Sequence, residues 1–406
     1  MISAMNSQYL HEYDSDRYKR KHRKQEKNSS SSRKRRRSTS PRRSSKRTSR
    51  DHDKHRNKRR SKSPREVDSE GHLKFRNGDC IGGKYEIVEN LGEGTFGKVV
   101  KCVKRGHKTA VAVKIVKGID RYTDAAKIEV KILQKLRDHD PYDESGCIHM
   151  LDWFEHHRHI CIVFQLMGLS VYDHMKQSGY KPFNVDAVRA MSYQLLRSTR
   201  FMHDMKLTHT DLKPENMLFK YKLLPSIEPN DGQEADISLI DFGSATFEHE
   251  HHSGTVSTRH YRAPEVILEH QWSHACDLWS IGCIMFELLT GVTMFQTHSN
   301  FEHLCMMQHI LGPIPKCLLE GSKKLKYFND SSLVNLDWSS GEGQYIISNC
   351  KPLRYYQREY STELQQIFNL MEGLLQYDPK ERLTCSQALR HPFFDQYILK
   401  RRNSPN

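Results

Sequence analysis

In His209-Thr-Asp211-Leu-Lys213-Pro-Glu-Asn216 a carboxylate is followed by a lysine two residues on and an amide five residues on, in a loop stiffened by Pro214. Thirty residues after Asp211 comes Asp241-Phe-Gly243, behind a strand expected over 236–240. Phosphoryl transfer from ATP needs cations to neutralise phosphate oxygens and oxygen ligands to hold Mg2+. It also needs one acceptor to orient the attacking hydroxyl. Lys114, Lys213, Asn216, Asp241 and Asp211 are the required types, in an uncommon combination.

Lys114 lies in Val111-Ala-Val-Lys-Ile-Val116. Alternation turns Val111, Val113 and Ile115 one way and Ala112, Lys114 and Val116 the other. A lysine in so apolar a strand needs a partner, and Glu129 is the candidate. On the next helix it shares a face with Ala125, Leu133 and Leu136. Each charge is costly when buried alone and tolerable when paired, so a purely structural ion pair stands beside the functional reading. Gly92-Glu-Gly94-Thr-Phe-Gly97 is weak by itself. A dinucleotide fingerprint needs a helix directly after the glycines. The β-branched run at 98–103 that follows favours a hairpin folded over phosphates, against the bland alternative of a glycine-rich turn with no ligand.

The elements that must hold these residues are strands expected over 85–91, 98–103, 109–116 and 159–166, with a helix over 124–136 among them. After Gly168 helices dominate, over 185–204, 274–290, 300–311, 364–376 and 385–390. A small mostly-β unit followed by a larger mostly-α unit makes the chain α+β.

The formal charge of +15 is not spread evenly. Residues 1–70 carry 24 of the 64 Lys/Arg and 9 of the 49 Asp/Glu, which leaves 40 of each elsewhere. From Lys19 to Glu66 no residue is apolar, and the stretch includes RKRRR at 33–37 and SPRRSS at 40–45. With nothing to bury, it cannot offset an ordering cost of roughly 1–2 kcal/mol per residue and is expected to be disordered. The composition shift near 67–75 puts the domain boundary at about Gly78: a basic arm over 1–77, a small lobe over 78–167, a large lobe over 168–398 and a tail over 399–406. Ten scattered cysteines without a C-x-x-C pair read as reduced thiols. The apolar stretch at 281–289 is far short of a membrane span, so a soluble intracellular protein without membrane contact is expected.

Over 85–394 the sequence resembles the protein kinase superfamily, which implies the bilobal kinase fold. The resemblance implies an ATP site made of Leu91, Gly92, Glu93, Gly94, Thr95, Phe96, Gly97, Lys98 and Val99, with Ala112, Lys114 and Glu129, the hinge residues Leu166 and Met167, and Asp173 near the ribose. Phe164 would gate the adenine pocket. Asp211 would be the catalytic base, Lys213 would stabilise the transferring phosphoryl group, and Asn216 and Asp241 would hold Mg2+. Ala263-Pro-Glu265 would close the activation segment, with Arg382 as the buried partner of Glu265, and Lys213 with Thr258 looks like the serine/threonine pattern.

Ser257-Thr-Arg-His-Tyr-Arg-Ala-Pro-Glu265 and an insert at about 298–355 are similar to the branch containing cyclin-dependent, MAP and Cdc2-like kinases. Asp152-Trp-Phe-Glu-His-His157, His209-Thr-Asp211 and 248–262 look like the Cdc2-like, or LAMMER, kinases. That resemblance implies dual specificity, Arg/Ser-rich splicing factors as substrates, a nuclear location and a monomer. The name-giving hexapeptide reads Leu304-Cys-Met-Met-Gln-His309, departing at Cys305, Gln308 and His309, and Gln165 replaces a hinge Glu. These departures make the chain look like a divergent member of that family.

Two other functional classes stand beside this one. A kinase-fold scaffold would lose Lys114, Asp211 or Asp241, and all three remain. An RNA-associated factor could use phosphate attraction by the arm, but no aromatic between 19 and 66 can stack on bases, so RNA contact there is expected to be weak or indirect. His249, His251 and His252 read as a solvated segment rather than a zinc site, and the Trp338 region as insert packing. Thr210 stands where many kinases place an arginine that pairs with an activation-segment phosphate, so that segment is expected to hold without one. Residues 1–70 are expected to be dispensable for activity on short peptides.

Overall fold

The computed structural model describes residues 67–221, 235–328, 334, 336–357 and 361–403. The expected disorder of the arm up to residue 66 lies outside them. The small lobe runs β1 (Cys80–Ile81), β2 (Tyr85–Gly94), β3 (Gly97–Lys104), β4 (Ala110–Val116), helix α1 (Asp120–His139), β5 (Met150–His156) and β6 (His159–Gln165). These strands form one antiparallel sheet in the order β1-β2-β3-β4-β6-β5. Alternation on β4 is as expected: Val111, Val113 and Ile115 enter a core with Ile87, Val100, Cys102 and Val163. Val116 joins the opposite side, against Val130, Leu133 and Leu136 of α1.

The large lobe holds α2 (Val171–Gln177), α3 (Val185–Asp204), β7 (Leu207–Thr208), β8 (Met217–Phe219), β9 (Ile237–Leu239), β10 (Thr246–Phe247), α4 (Pro264–Ile267), α5 (Ala275–Thr290), α6 (Asn300–Leu311), α7 (Gly341–Asn349), α8 (Thr362–Leu374), α9 (Cys385–Ala388) and α10 (Asp395–Asn403). Helix α3 starts where Asn184 Oδ1 accepts the Ala187 N–H at 2.8 Å. Helix α5 is buried continuously from Cys276 to Leu288, as an apolar sequence on all sides requires. It is the pillar on which the catalytic-loop region rests. No helix among the described residues is long and apolar enough to cross a membrane.

The boundary at Gly78 is too late. Leu73 is 5% exposed and packs in the small-lobe core, so residues 67–77 are part of the folded lobe rather than of the arm. The altered hexapeptide lies on α6, where Leu304, Cys305, Met306 and Met307 are buried. Its two polar departures make contacts of their own. Gln308 Oε1 accepts the Val334 N–H at 3.0 Å, while His309 Nε2 lies 3.1 Å from Cys350 O and its ring packs by Trp338. Trp338 is insert packing, as expected.

Candidate active site

Strands β2 and β3 join in a hairpin whose pairs Gly92↔Val99, Glu93↔Lys98 and Gly94↔Gly97 close over the end of β4. A Cβ on Gly97 would lie 2.1 Å from Ile115 O, so only glycine lets β3 approach β4 there. At Gly92 and Gly94 a Cβ would meet no described atom within 4 Å. Protein packing therefore explains the third glycine but not the first two. On the face of β4 that carries Lys114, Ala112 lies two residues before it and Val99 is its cross-strand partner.

Lys114 Nζ lies 2.7 and 2.9 Å from the two carboxylate oxygens of Glu129 and 3.4 Å from Asp241 Oδ1. Three elements meet at that ammonium: β4, α1 and the turn after β9. Burial pulls its pKa down, but Glu129 and Asp241 outweigh it and hold Lys114 above the ordinary lysine value. Burial likewise pushes Asp241 up, yet Lys114 and Lys213 prevail and keep it below the usual carboxylate value. Asp241 sits at φ 64°, a left-handed conformation, and Phe242 next to it is buried beneath α1.

The loop between β7 and β8 supplies the other half. Asp211 Oδ1 accepts from the Thr258 N–H at 2.8 Å and the Thr258 hydroxyl at 2.7 Å. Lys213 Nζ donates to Asp211 Oδ2 and to Thr258 Oγ1, both at 3.1 Å. Burial would lower Lys213, but Asp211 first, then Glu215 and Asp241, hold it above the ordinary value. Asn216 Nδ2 donates to Asp211 O at 2.9 Å, which leaves its carbonyl oxygen for another ligand. Asn216 O accepts the Ile240 N–H, tying it beside Asp241. The two side chains offer oxygen donors only, a set suited to a hard divalent cation.

One supporting residue was missed by the sequence reading. Asp277, 1% exposed in the first turn of α5, accepts the N–H groups of His209 and Thr210 at 2.9 Å and contacts His203 Nε2 at the same distance. Burial pushes its carboxyl up, but His203 and the other donors outweigh that and lower it. Thr210, β-branched and at φ 68°, is held in that conformation by Asp277 and by its own hydroxyl bond to Ser244 O. An acidic residue opening an otherwise apolar helix was the available signal.

Two further carboxylates were also missed. Glu215 is half-buried, with Oε2 shielded from solvent and making no hydrogen bond. Burial holds its pKa above the ordinary value even though Lys213 opposes it. Glu287, 3% exposed on α5, accepts from the Tyr261 hydroxyl at 2.6 Å and the Thr293 hydroxyl at 2.9 Å. Burial, reinforced by Glu215, pushes its pKa up to about 7.

Not every expected contributor faces this centre. The Glu93 and Lys98 side chains pair with each other on the far side of the hairpin at 3.4 Å, and the Phe96 ring packs edge-on against Tyr122 of α1. Leu91 is 46% exposed. Leu166 and Met167 follow β6 directly, with Phe164 paired to Ala112 across the sheet. Asp173 sits in the first turn of α2, where its carboxylate accepts from Ser170 Oγ at 2.7 Å. The Glu265–Arg382 pair is made, bidentate at 2.8 and 2.9 Å, with neither residue more than 4% exposed. His249 and His252 stack on Phe247 and Trp272 and belong to no metal-competent cluster among the described residues.

Comparison with known proteins agrees with this geometry. Residues 85–394 match the protein kinase domain family. The chain is 50% identical over 342 residues to human dual specificity protein kinase CLK1, covering 81% of this chain and 70% of the other. It is 47% identical over 376 residues to mouse dual specificity protein kinase CLK4, covering 90% and 77%. To the Drosophila melanogaster serine/threonine-protein kinase Doa it is 48% identical over 342 residues, covering 81% and 41%. A solved crystal structure of a kinase domain superposes with a TM-score of 0.73 at 31% identity, covering 81% of this chain and all of that one. A kinase fold, an assembled Lys114–Glu129–Asp241 centre and half-identical relatives over most of the length converge: the chain belongs to the protein kinase family and, within it, to the CLK kinases.

Proposed function

We propose that the protein is an ATP- and Mg2+-dependent kinase that phosphorylates serine and threonine in Arg/Ser-rich proteins, splicing factors among them. Tyrosine autophosphorylation and a nuclear, monomeric existence belong to the same reading. The β2–β3 hairpin covers the phosphates, and Lys114, held by Glu129, neutralises the two that stay with the nucleotide. Asn216 and Asp241 would hold Mg2+, which would supply charge neutralisation for the phosphates. Asp211 accepts the hydrogen bond of the substrate hydroxyl and takes its proton as the oxygen–phosphorus bond forms. Lys213 stabilises the negative charge on the group in transit. The bond to the diphosphate breaks and ADP leaves. Asp211 Oδ1 accepts from the Thr258 hydroxyl, a bond that a substrate hydroxyl would displace.

One observation supports the substrate class: Glu215, half-buried with Oε2 shielded and unbonded, helps push up the buried Glu287 carboxyl, and burial holds both above the ordinary value although Lys213 opposes it at Glu215. Two carboxylates held up by burial in this way are relieved by a guanidinium, which is planar, permanently charged and able to serve both. The basic arm, itself rich in Arg and Ser, is in addition a candidate for autophosphorylation.

The test is phosphate incorporation from radiolabelled ATP into an Arg/Ser peptide, the same peptide with Arg replaced by Gln, and a basic peptide poor in serine. The Arg/Ser peptide should be labelled well above both others, and Glu215→Gln should erase the preference for Arg over Gln. Equal labelling of the Arg and Gln peptides by the unaltered protein refutes the substrate assignment.

A further inference from the structure

The residues just before the matched kinase domain fold into a strap. Asp68 Oδ1 accepts the N–H groups of Glu70 and His72 at 2.9 Å each, Val67 bridges Leu73, and Gly71 turns the chain at φ 87°. The strap is fastened in two places. Gly71 O accepts the Gly118 N–H at 3.0 Å, two residues before α1, and a Cβ at Gly71 would fall 2.8 Å from Ile119 Cδ1. That end is anchored beside the helix that carries Glu129. At the other end His72, 2% exposed, places Nε2 3.2 Å from Glu93 Oε1 on the β2–β3 hairpin.

The hairpin side of this contact is itself braced. Glu93 Oε2 lies 3.4 Å from Lys98 Nζ, its cross-strand partner, and Lys98 sits over the Phe75 ring. At the tip, Phe96 O accepts the Lys117 N–H at 2.9 Å, on the same approach to α1. The hairpin is thus tied through residues 68–75 to the approach to the helix.

We propose that His72 is a positioning residue for nucleotide binding: through Glu93 it couples the phosphate-covering hairpin to the segment that opens α1, so that the hairpin and the Lys114–Glu129 pair are set as one body. The domain match starts at residue 85, so His72 and the strap lie outside the matched part of the chain, while Glu93 lies inside it. Burial first, and then Lys117, hold His72 below the ordinary histidine value. A neutral imidazole has one N–H to give. Nδ1 is buried without a hydrogen-bond partner, and Nε2 is the nitrogen facing Glu93. The proposal rests on the nucleotide reading of the hairpin.

Four variants of the full chain test it: His72→Leu, His72→Gln, Glu93→Gln and the double His72→Leu/Glu93→Gln. Gln can put its amide nitrogen where Nε2 stands. The readouts are KM for ATP and kcat at saturating Arg/Ser peptide, with the melting temperature measured without nucleotide. Loss of the 3.2 Å contact to a charged group should raise KM about fivefold in His72→Leu, with kcat within about twofold. His72→Gln should restore KM, and the double variant should be no worse than the more affected single. An unchanged KM in His72→Leu, an equal rise in His72→Gln, or additive effects in the double overturn the proposal. If His72→Leu melts too low to assay, Glu93→Gln must show the KM rise alone at an unchanged melting temperature, and its failure to do so is equally decisive. Gly94→Val separates the two levels. If it leaves KM unchanged, the hairpin reading fails, whereas a raised KM beside a silent His72→Leu defeats only the positioning role.

Discussion

Asp211→Asn removes one charge and leaves the side-chain shape intact. In the unaltered protein the carboxylate accepts three bonds, two from Thr258 on Oδ1 and one from Lys213 on Oδ2. An amide offers one oxygen. Turned to Thr258 it keeps two bonds and sets its NH2 against the Lys213 ammonium, where a donor meets a donor about 3 Å away. Turned the other way it loses both Thr258 bonds. Either orientation forfeits at least one charge-assisted bond, roughly 1.5–3 kcal/mol. Loss of the proton acceptor should lower kcat by at least ~10²-fold, about 2.7 kcal/mol on the barrier. The nucleotide half should be spared. Asn216 bonds to the Asp211 backbone carbonyl, which the substitution retains, and Lys114 touches Glu129 and Asp241. The assay pairs steady-state phosphorylation of an Arg/Ser peptide with titration by a non-hydrolysable ATP analogue. Turnover within tenfold of the unaltered protein, or nucleotide affinity falling in step with turnover, would refute the division of labour.

Phosphatase-treated protein made in bacteria should keep its activity. The activation segment is fastened by Trp272 Nε1 to Ser253 O at 2.7 Å, by Arg262 to Val256 O and Ser257 O, and by Thr258 to Asp211. Activity lost on treatment and restored by a second kinase would contradict this. Glu265→Ala should cost about 3–5 kcal/mol in denaturant unfolding, because it strands the buried Arg382 guanidinium, and a loss below about 1 kcal/mol would show the pair to be incidental. The KM for an Arg peptide should rise as pH falls through about 7, since Glu287 is ionised above that point and neutral below it, and a guanidinium needs the ionised form. A peptide without Arg should show no such rise. Deleting residues 1–66 should preserve peptide phosphorylation while shifting the protein out of the nucleus. Deleting 1–75 should raise KM for ATP, and identical kinetics for the two truncations would deny the strap any part in catalysis.

Much of the fold was readable wherever one face of an element is apolar and long enough to show a period. Helices α3 and α6 fall on the residues their patterns predict. Strand β5 escaped because its apolar Leu151 and Trp153 lie on the exposed face while polar Asp152 and His156 alternate onto the other, so no apolar face shows in the sequence. Helix α2 spans seven residues, too few for a period to declare itself. Helix α1 begins at Asp120 rather than 124, because its first turn is polar and gains its packing from Tyr122 against Phe96. In the site, Lys114 and Glu129 were legible as charges on apolar faces. Glu287 gives no such signal inside the apolar run at 281–289, since its meaning depends on Glu215, which lies 72 residues away in sequence.

The unequal roles of the three hairpin glycines bear on how the protein could escape an ATP-competitive inhibitor. Substitution at Gly97 drives a side chain into Ile115 O, and the fold itself forbids it. Gly92 and Gly94 carry no such packing penalty, so a side chain there meets whatever occupies the space beneath the hairpin rather than the protein. Resistance selected against a bulky inhibitor should therefore draw its hairpin mutations from positions 92 and 94 and leave 97 untouched. A compound that leaves the space under those two glycines empty would give such mutations nothing to push against.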